Sequence, residues 1–410
     1  MNRRTFFKSL AVAPTAALLP ARDAGAELPK AKITRVRIFR PPNVNPLFNQ
    51  SNMVVTVETD AGLTGVGEGG SKDTLEQCAG TLIGKNPFHS EAIWQETYIA
   101  WFYPPGREKA HALGALDLAL WDIKGKALGV PVHELLGGTA RDYCECYATA
   151  GVNAPPGVTL SLKERARAAM EAGYRAFRMG AADPPIGGVY DTRAIVRQIA
   201  QNCKDVREGV GPDGNWCIDL HQRFDLNDAL RVCKAVEEYD PFFVEDPVRD
   251  EHALQDIPKL RQMTTVPLTH GEEWGLKWDF NKLVEGHDVD FVRSTLPNVG
   301  GITEMMKIAG ICETHAVGII PHFTGPIATA ALVNCLSTFA GPVMLEYNFA
   351  GRTPEYLPES FDFRNGKMYP NSRPGLGVTA DMRQLTMIGE VTQPGRRNVY
   401  RRPDGSLTHW

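Results

Sequence analysis

Three carboxylates and two histidines stand out in this sequence as groups able to do chemistry together. Asp219, Glu245 and Glu272 each end a short, β-rich apolar run, and one strand-and-helix unit separates each from the next. Taken singly they have ordinary readings: Asp219 as a helix cap, Glu245-Asp246-Pro247 as a turn, Glu272 and Glu273 as a solvated pair. In register they converge. Converging carboxylates repel one another unless a cation neutralises them, and an all-oxygen set favours a hard ion, here Mg²⁺. His221 lies two residues beyond Asp219, and His322 ends a later run. Imidazole titrates near neutrality and suits general acid or base work. Arg223 continues the 219–221–223 alternation towards the same mouth. Arg178, in Phe177-Arg178-Met179-Gly180, is expected either to bind a substrate carboxylate or hydroxyl or to form a surface ion pair.

The elements that must position these groups are legible as an alternation. Eight strand candidates run over Tyr143–Ala150, Tyr174–Met179, Trp216–Leu220, Phe242–Asp246, Val266–Glu272, Phe291–Thr295, Val317–Phe323 and Val343–Tyr347. Every gap but the last holds a helix candidate, such as Lys163–Ala172, Ala229–Glu238 and Ile302–Thr314. Eightfold alternation implies an α/β fold, a closed (β/α)₈ TIM barrel over residues 141–375. An open doubly wound sheet is the alternative, but no glycine-rich phosphate loop follows the first run. Barrel sites lie at the C-terminal ends of strands, where all these side chains fall.

Before the alternation, residues 30–140 read as an α+β domain. Two strands flank the loop from Pro41 to Asn52, Asp60 to Gly65 forms a hairpin turn, and helices follow. The clearest helix is His111 to Leu128, with Leu113, Leu116, Leu120, Ile123 and Ala127 on one stripe.

The chain has 410 residues and a net charge of −4, which argues against nucleic acid or an anionic membrane as the main partner. Arg3-Arg4, the short apolar run from Ser9 to Pro20, and Ala24-Gly25-Ala26 have the form of a twin-arginine export signal over residues 1–26. That predicts a periplasmic protein exported folded, with no membrane span in the mature chain. The eight cysteines are scattered, without a CxxC pair, and most sit in apolar runs; neither a zinc site nor a disulfide framework is expected.

The motifs then become recognisable. Leu118 to Lys126, Pro131 to Gly138, Phe243-Val244-Glu245-Asp246-Pro247, Gly271-Glu272 and Val299 to Glu304 resemble the enolase superfamily, in its mandelate racemase/muconate lactonizing enzyme family. Asp219-Leu220-His221 is similar to the galactonate and mannonate dehydratase-like members. The resemblance implies a modified, enolase-like barrel, with residues 30–140 as a capping domain and residues 376–410 packing back on it. It implies that Asp219 binds metal and that His221 protonates a departing hydroxyl. It further implies that His322 takes an α-proton, that Glu346 contacts substrate or enolate, and that the protein is a homo-oligomer. Three departures stand against it. Strand two lacks paired lysines, Thr295 stands where many relatives carry an aspartate, and His270 where they usually carry a small residue.

A proton beside a carboxylate is removed only if the resulting enediolate is stabilised, and Mg²⁺ on the substrate carboxylate supplies that. With no lysine on strands two and six, a histidine is the expected base. Loss of the β-hydroxyl then makes a sugar-acid dehydratase that yields a 2-keto-3-deoxy acid. A racemase or epimerase, or a periplasmic sugar-acid binding protein, are the competing readings. His270 is expected to be a buried, hydrogen-bonded core group. Trp274 and Trp278 are expected either to line a sugar pocket or to pack on the next helix.

Overall fold

The computed structural model describes residues 28–42, 53–101, 106–149, 159–185, 187–347, 354–395 and 399–408. Residues 1–26, expected to form an export signal, most of the Pro41–Asn52 loop, Arg396-Arg397 and His409 lie outside the described residues.

The first domain pairs β1 (Ile33–Arg40), β2 (Val54–Thr59) and β3 (Thr64–Glu68) as an antiparallel meander. Arg35 and Arg37 of β1 project to the outer face, where they meet Glu58 and Glu390. The inner face carries Val36, Ile38, Val55 and Val57, all fully buried. Against it pack α1 (Lys72–Leu82), α2 (Ser90–Ile99) and α3 (Arg107–Leu128). Of the stripe read from the sequence, Leu113, Leu116, Leu120 and Ile123 are buried and Ala127 is half-buried, and α3 ends at Gly129 with a left-handed backbone. Gly67 lets α3 lie directly on β3, since a Cβ there would stand 1.9 Å from the Ala115 carbonyl oxygen. The short α4 (Val132–Leu135) leads into the second domain.

All eight expected barrel strands are present. They are β4 (Cys144–Ala148), β5 (Ala176–Gly180), β6 (Asn215–Asp219), β7 (Phe243–Glu245), β8 (Leu268–His270), β9 (Phe291–Val292), β10 (Gly318–Ile319) and β11 (Leu345–Tyr347). Neighbours are parallel from β4 through β10, and β11 pairs with β4. A parallel bridge between Ile319 and Val343 closes the ring. Strands β6 to β10 stop short of the ends of their apolar runs, which leaves Glu272, Thr295 and His322 beyond the ladder at the mouth of the barrel. The connecting helices are α5 (Leu162–Glu171), α6 (Thr192–Val210), α7 (Leu226–Val236), α8 (Ala253–Arg261), α9 (Lys277–Glu285), α10 (Ile302–Thr314) and α11 (Pro326–Thr338).

Helix α11 fills the one gap where the sequence offered no helix. Its residues Ile327 to Ser337 are all buried, so it has no polar face and no helical period to read. After β11 the chain makes a hairpin, β12 (Asp362–Arg364) with β13 (Lys367–Tyr369), which pairs antiparallel with β4. It then returns to the first domain, where β14 (Thr386–Val391) adds antiparallel to β1. All eight cysteines are buried and free. No helix among the described residues is long and apolar enough to cross a membrane.

Candidate active site

The carboxylates meet at the C-terminal mouth of the barrel. Parallel pairing sets Asp219 beside Glu245 and Glu245 beside Thr269, and Glu272 follows three residues later. One carboxylate oxygen from each of Asp219, Glu245 and Glu272 lies within 4.8 Å of the others. Asp219 and Glu245 are fully buried. Just past these strand ends the backbone is forced into the left-handed region at His221 (φ 47°), Gln222 (φ 59°) and Asp246 (φ 43°). Each such non-glycine residue costs on the order of 1 kcal/mol, and strain of this kind gathers at functional sites.

The turn at 221–222 folds the His221 ring back over Asp219. Its Nε2 is 2.5 Å from Asp219 Oδ2, and its backbone N–H donates to Asp219 Oδ1 at 2.9 Å. The bond to Asp219 raises the imidazole's pKa above its ordinary value. His322 sits opposite, in the segment after β10, with Nε2 3.8 Å from Glu272 Oε2. Burial pushes its pKa down to about 4, so the ring is neutral. Its Nδ1 lies 2.5 Å from the Phe323 carbonyl oxygen, which only accepts, so the proton resides on Nδ1 and the lone pair on Nε2.

Thr295 does not replace an aspartate against the His322 ring. Its hydroxyl accepts from the His322 backbone N–H at 2.8 Å and donates to the Arg293 carbonyl at 3.0 Å. A neighbouring carbonyl, which the sequence does not single out, holds the tautomer instead.

Arg178 points inward, ion-paired with Asp219 and 3.6 Å from Glu346. Burial opposes its charge, but Glu346 and Asp219 more than offset that. Glu346 accepts from Arg293 Nη2 at 2.6 Å and from the Phe323 N–H at 3.1 Å. Despite burial, the guanidiniums of Arg178 and Arg293 hold it below the usual carboxylate range. Arg223 is placed at the rim, paired with Asp183 at 2.8 Å, and not among the carboxylates.

Sequence reasoning missed Arg293. It is completely buried, with Nη2 2.6 Å from Glu245 Oε1 and 3.5 Å from Glu272 Oε2, and Nη1 2.6 Å from the Tyr147 hydroxyl. The available signal was a charge alternating with Thr295 at inward positions of an otherwise apolar strand end.

His270 is buried, with Nδ1 2.9 Å from Asp246 Oδ1 and Nε2 3.8 Å from Asp250. Burial opposes its charge, yet the two aspartates raise its pKa to about 9. Asp250 also accepts from Trp274 Nε1 at 2.6 Å and from Arg107 of α3 at 2.6 Å. Trp274 therefore packs behind the site. Trp278 is half-exposed, with Lys277 3.8 Å above its ring.

The donor set suits a divalent cation. Both oxygens of Glu245 are buried without a hydrogen bond among the described residues, because Arg293 approaches out of line with its N–H bonds. Burial, with Asp219 and Glu272 nearby, raises the Glu245 pKa well above the carboxylate range despite Arg293. Burial, Asp246 and Asp219 raise Glu272 to about 8. The cage thus lacks positive charge, which a hard cation on three carboxylate oxygens would supply.

The first domain reaches this mouth through two carboxylates. Glu68 Oε2 accepts from the N–H groups of Ile327 and Ala328, at 2.8 and 3.0 Å, capping α11 just beyond His322. Asp117 accepts from the Thr303 N–H at 2.9 Å and the Thr303 hydroxyl at 2.6 Å, capping α10. Gly301 (φ 94°) makes room, since a Cβ there would stand 2.5 Å from the Asp117 carboxylate.

Comparison with known proteins agrees with this architecture. Residues 35–137 match the mandelate racemase/muconate lactonizing enzyme N-terminal domain, and residues 161–384 match the enolase C-terminal domain-like family. The chain is 33% identical to a D-galactonate dehydratase of Pectobacterium atrosepticum over 396 residues, 92% of this chain and 100% of that one. It is also 33% identical to a D-galactonate dehydratase of Ralstonia pickettii over 395 residues, with the same coverage. An enolase protein from Sargasso Sea environmental sequencing superposes with a TM-score of 0.79 at 27% identity, covering 89% of this chain and 100% of that one. An enolase-superfamily member from Salmonella Typhimurium shares the fold, with a TM-score of 0.79 at 24% identity over 88% and 100% of the two chains. The chain belongs to the mandelate racemase/muconate lactonizing enzyme family of the enolase superfamily, and it is an enzyme of the hydro-lyase class.

Proposed function

We propose that the chain is a Mg²⁺-dependent sugar-acid dehydratase that removes the α-proton of a polyhydroxy carboxylate and expels its β-hydroxyl. One observation carries this reading: an imidazole stands at each end of the carboxylate triad, His221 on Asp219 and His322 beside Glu272. The names of the relatives, D-galactonate dehydratases, support a sugar acid as the substrate class.

Asp219, Glu245 and Glu272 would hold the cation, which would supply positive charge to a substrate carboxylate. His322, neutral and protonated on Nδ1, offers the Nε2 lone pair to that proton. Glu346, fixed by Arg293 and the Phe323 N–H, keeps its charge beside His322 and stabilises the imidazolium that results. His221 faces the triad from the other side and gives its proton to the β-hydroxyl as the C–O bond breaks, releasing water. The enol then tautomerises to the 2-keto-3-deoxy acid. The opposite pressures on the two rings, burial lowering the pKa of His322 and the bond to Asp219 raising that of His221, suit these roles.

The test is a semicarbazide screen of the full chain with Mg²⁺ against aldonic, uronic and aldaric acids. Keto product that disappears in Glu245→Gln and His322→Asn variants is expected. Exchange of the α-proton in deuterated water without keto product would refute the proposed elimination step. Binding without either signal would refute the two-histidine mechanism. We also propose that the chain acts in the periplasm after twin-arginine export. Arg3→Lys with Arg4→Lys should retain it in the cytoplasmic fraction, and unchanged export would refute the route.

A further inference from the structure

The carboxylate cage is wider than the metal triad. Asp219, Glu245, Glu272 and Glu346 face two guanidiniums, Arg178 and Arg293. Four carboxylates against two guanidiniums leave a formal charge of minus two, which one divalent ion neutralises. The guanidiniums are not equivalent. Arg178 retains some exposure at the mouth, whereas Arg293 has none. Arg293 is pinned on several sides: Nη1 donates to the Tyr147 hydroxyl at 2.6 Å and to the Ile320 carbonyl at 3.0 Å, and Nη2 donates to Glu346 at 2.6 Å. Those bonds tie β4, β11 and the residue after β10 to the segment that follows β9. The same Nη2 stands 2.6 Å from Glu245 Oε1, an oxygen of the triad.

We infer that Arg293 is a built-in counter-ion that shares the triad with the metal, limiting the site to one divalent cation and loosening its hold. This rests on the proposed metal role of Asp219, Glu245 and Glu272. A fixed charge in a buried cage is screened far less than one at a surface, so it raises the free energy of a second cation placed beside Glu245. Together with Arg178, Arg293 offsets part of the mutual repulsion of the four carboxylates in the apo cage. The cage is thus partly neutralised by side chains, which leaves a net charge that one divalent ion balances. Arg293 acts through Glu245 and Glu346 and is a positioning residue.

The experiment is calorimetric titration of metal-stripped full chain with Mn²⁺, with free Mn²⁺ followed in parallel by electron paramagnetic resonance. Wild type is expected to bind one Mn²⁺ per chain. Arg293→Gln is expected to bind it at least tenfold more tightly, and Arg293→Lys, which keeps the charge, to stay within about threefold of wild type. Circular dichroism and a thermal melt confirm folding. Should Gln disrupt the barrel, Arg293→Met, uncharged and closer in volume, carries the same comparison. Unchanged or weaker binding in the neutral variant would overturn the counter-ion role while leaving the metal site intact. Equal tightening in the Lys variant would overturn it too, by showing that charge is not the cause. Absence of Mn²⁺ binding in wild type and Arg293→Gln alike would remove the triad's metal role itself.

Discussion

Glu68 gives the sharpest test of how the two domains are joined. It is fully buried in the first domain, yet both of its described hydrogen bonds go to the start of α11 in the barrel, through Oε2 alone. Burial raises its pKa from the ordinary 4.5 to about 7, with the two backbone donors offsetting part of that. A proton on Oε1 leaves both bonds intact. Between pH 4.5 and 7 the folded chain holds a proton that the unfolded chain has lost, so stability falls as pH rises through that window. The full shift corresponds to about 3 kcal/mol, of which about 2 kcal/mol develops between pH 5.5 and 8. Gln is neutral at every pH and offers a carbonyl to the same two N–H groups. Glu68→Gln should therefore gain stability relative to wild type as pH rises, the gap widening by about 2 kcal/mol from pH 5.5 to 8. Glu68→Ala should lose about 1–3 kcal/mol for each N–H left buried and unpaired. Urea unfolding of all three proteins at both pH values measures this. A gap between Gln and wild type that stays constant or narrows with pH would refute the reasoning.

Other outcomes follow from the same geometry. His221→Asn should stop keto-acid formation while leaving α-proton exchange in deuterated water, because His322 and the triad are untouched; loss of both signals would count against the division of roles. Gly301→Ala should destabilise the chain by more than about 2 kcal/mol, because its Cβ meets the Asp117 carboxylate and its φ is unfavourable for alanine. A thermal melt reads this, and an unchanged midpoint would show that the junction yields at little cost.

How far the sequence speaks depends on whether a residue's role is repeated or solitary. The eight strands and the stripe on α3 were legible because each has a period, apolar runs between helices in one case and i, i+3, i+4 spacing in the other. The triad was legible because an acid recurs near the end of three consecutive strands; parallel pairing sets Asp219 beside Glu245, and Glu272 reaches them from three residues beyond Thr269, Glu245's partner. Helix α11 was not, because burial on every side erases the period that marks a surface helix.

The sequence by itself determined the barrel, the order of its strands and the side chains delivered to its mouth, since backbone periodicity and strand register are local properties. Only the tertiary structure decided which of those side chains touch. Arg293 and Arg223 are both arginines near strand ends, yet one is sealed among Tyr147, Glu245 and Glu346 and the other meets Asp183 at the rim. His322 owes its tautomer to a neighbouring carbonyl, and the start of the helix beyond it is capped by a carboxylate from the other domain. Such contacts join groups distant in sequence, and the energy of a buried charge depends on everything packed around it, which no local pattern encodes.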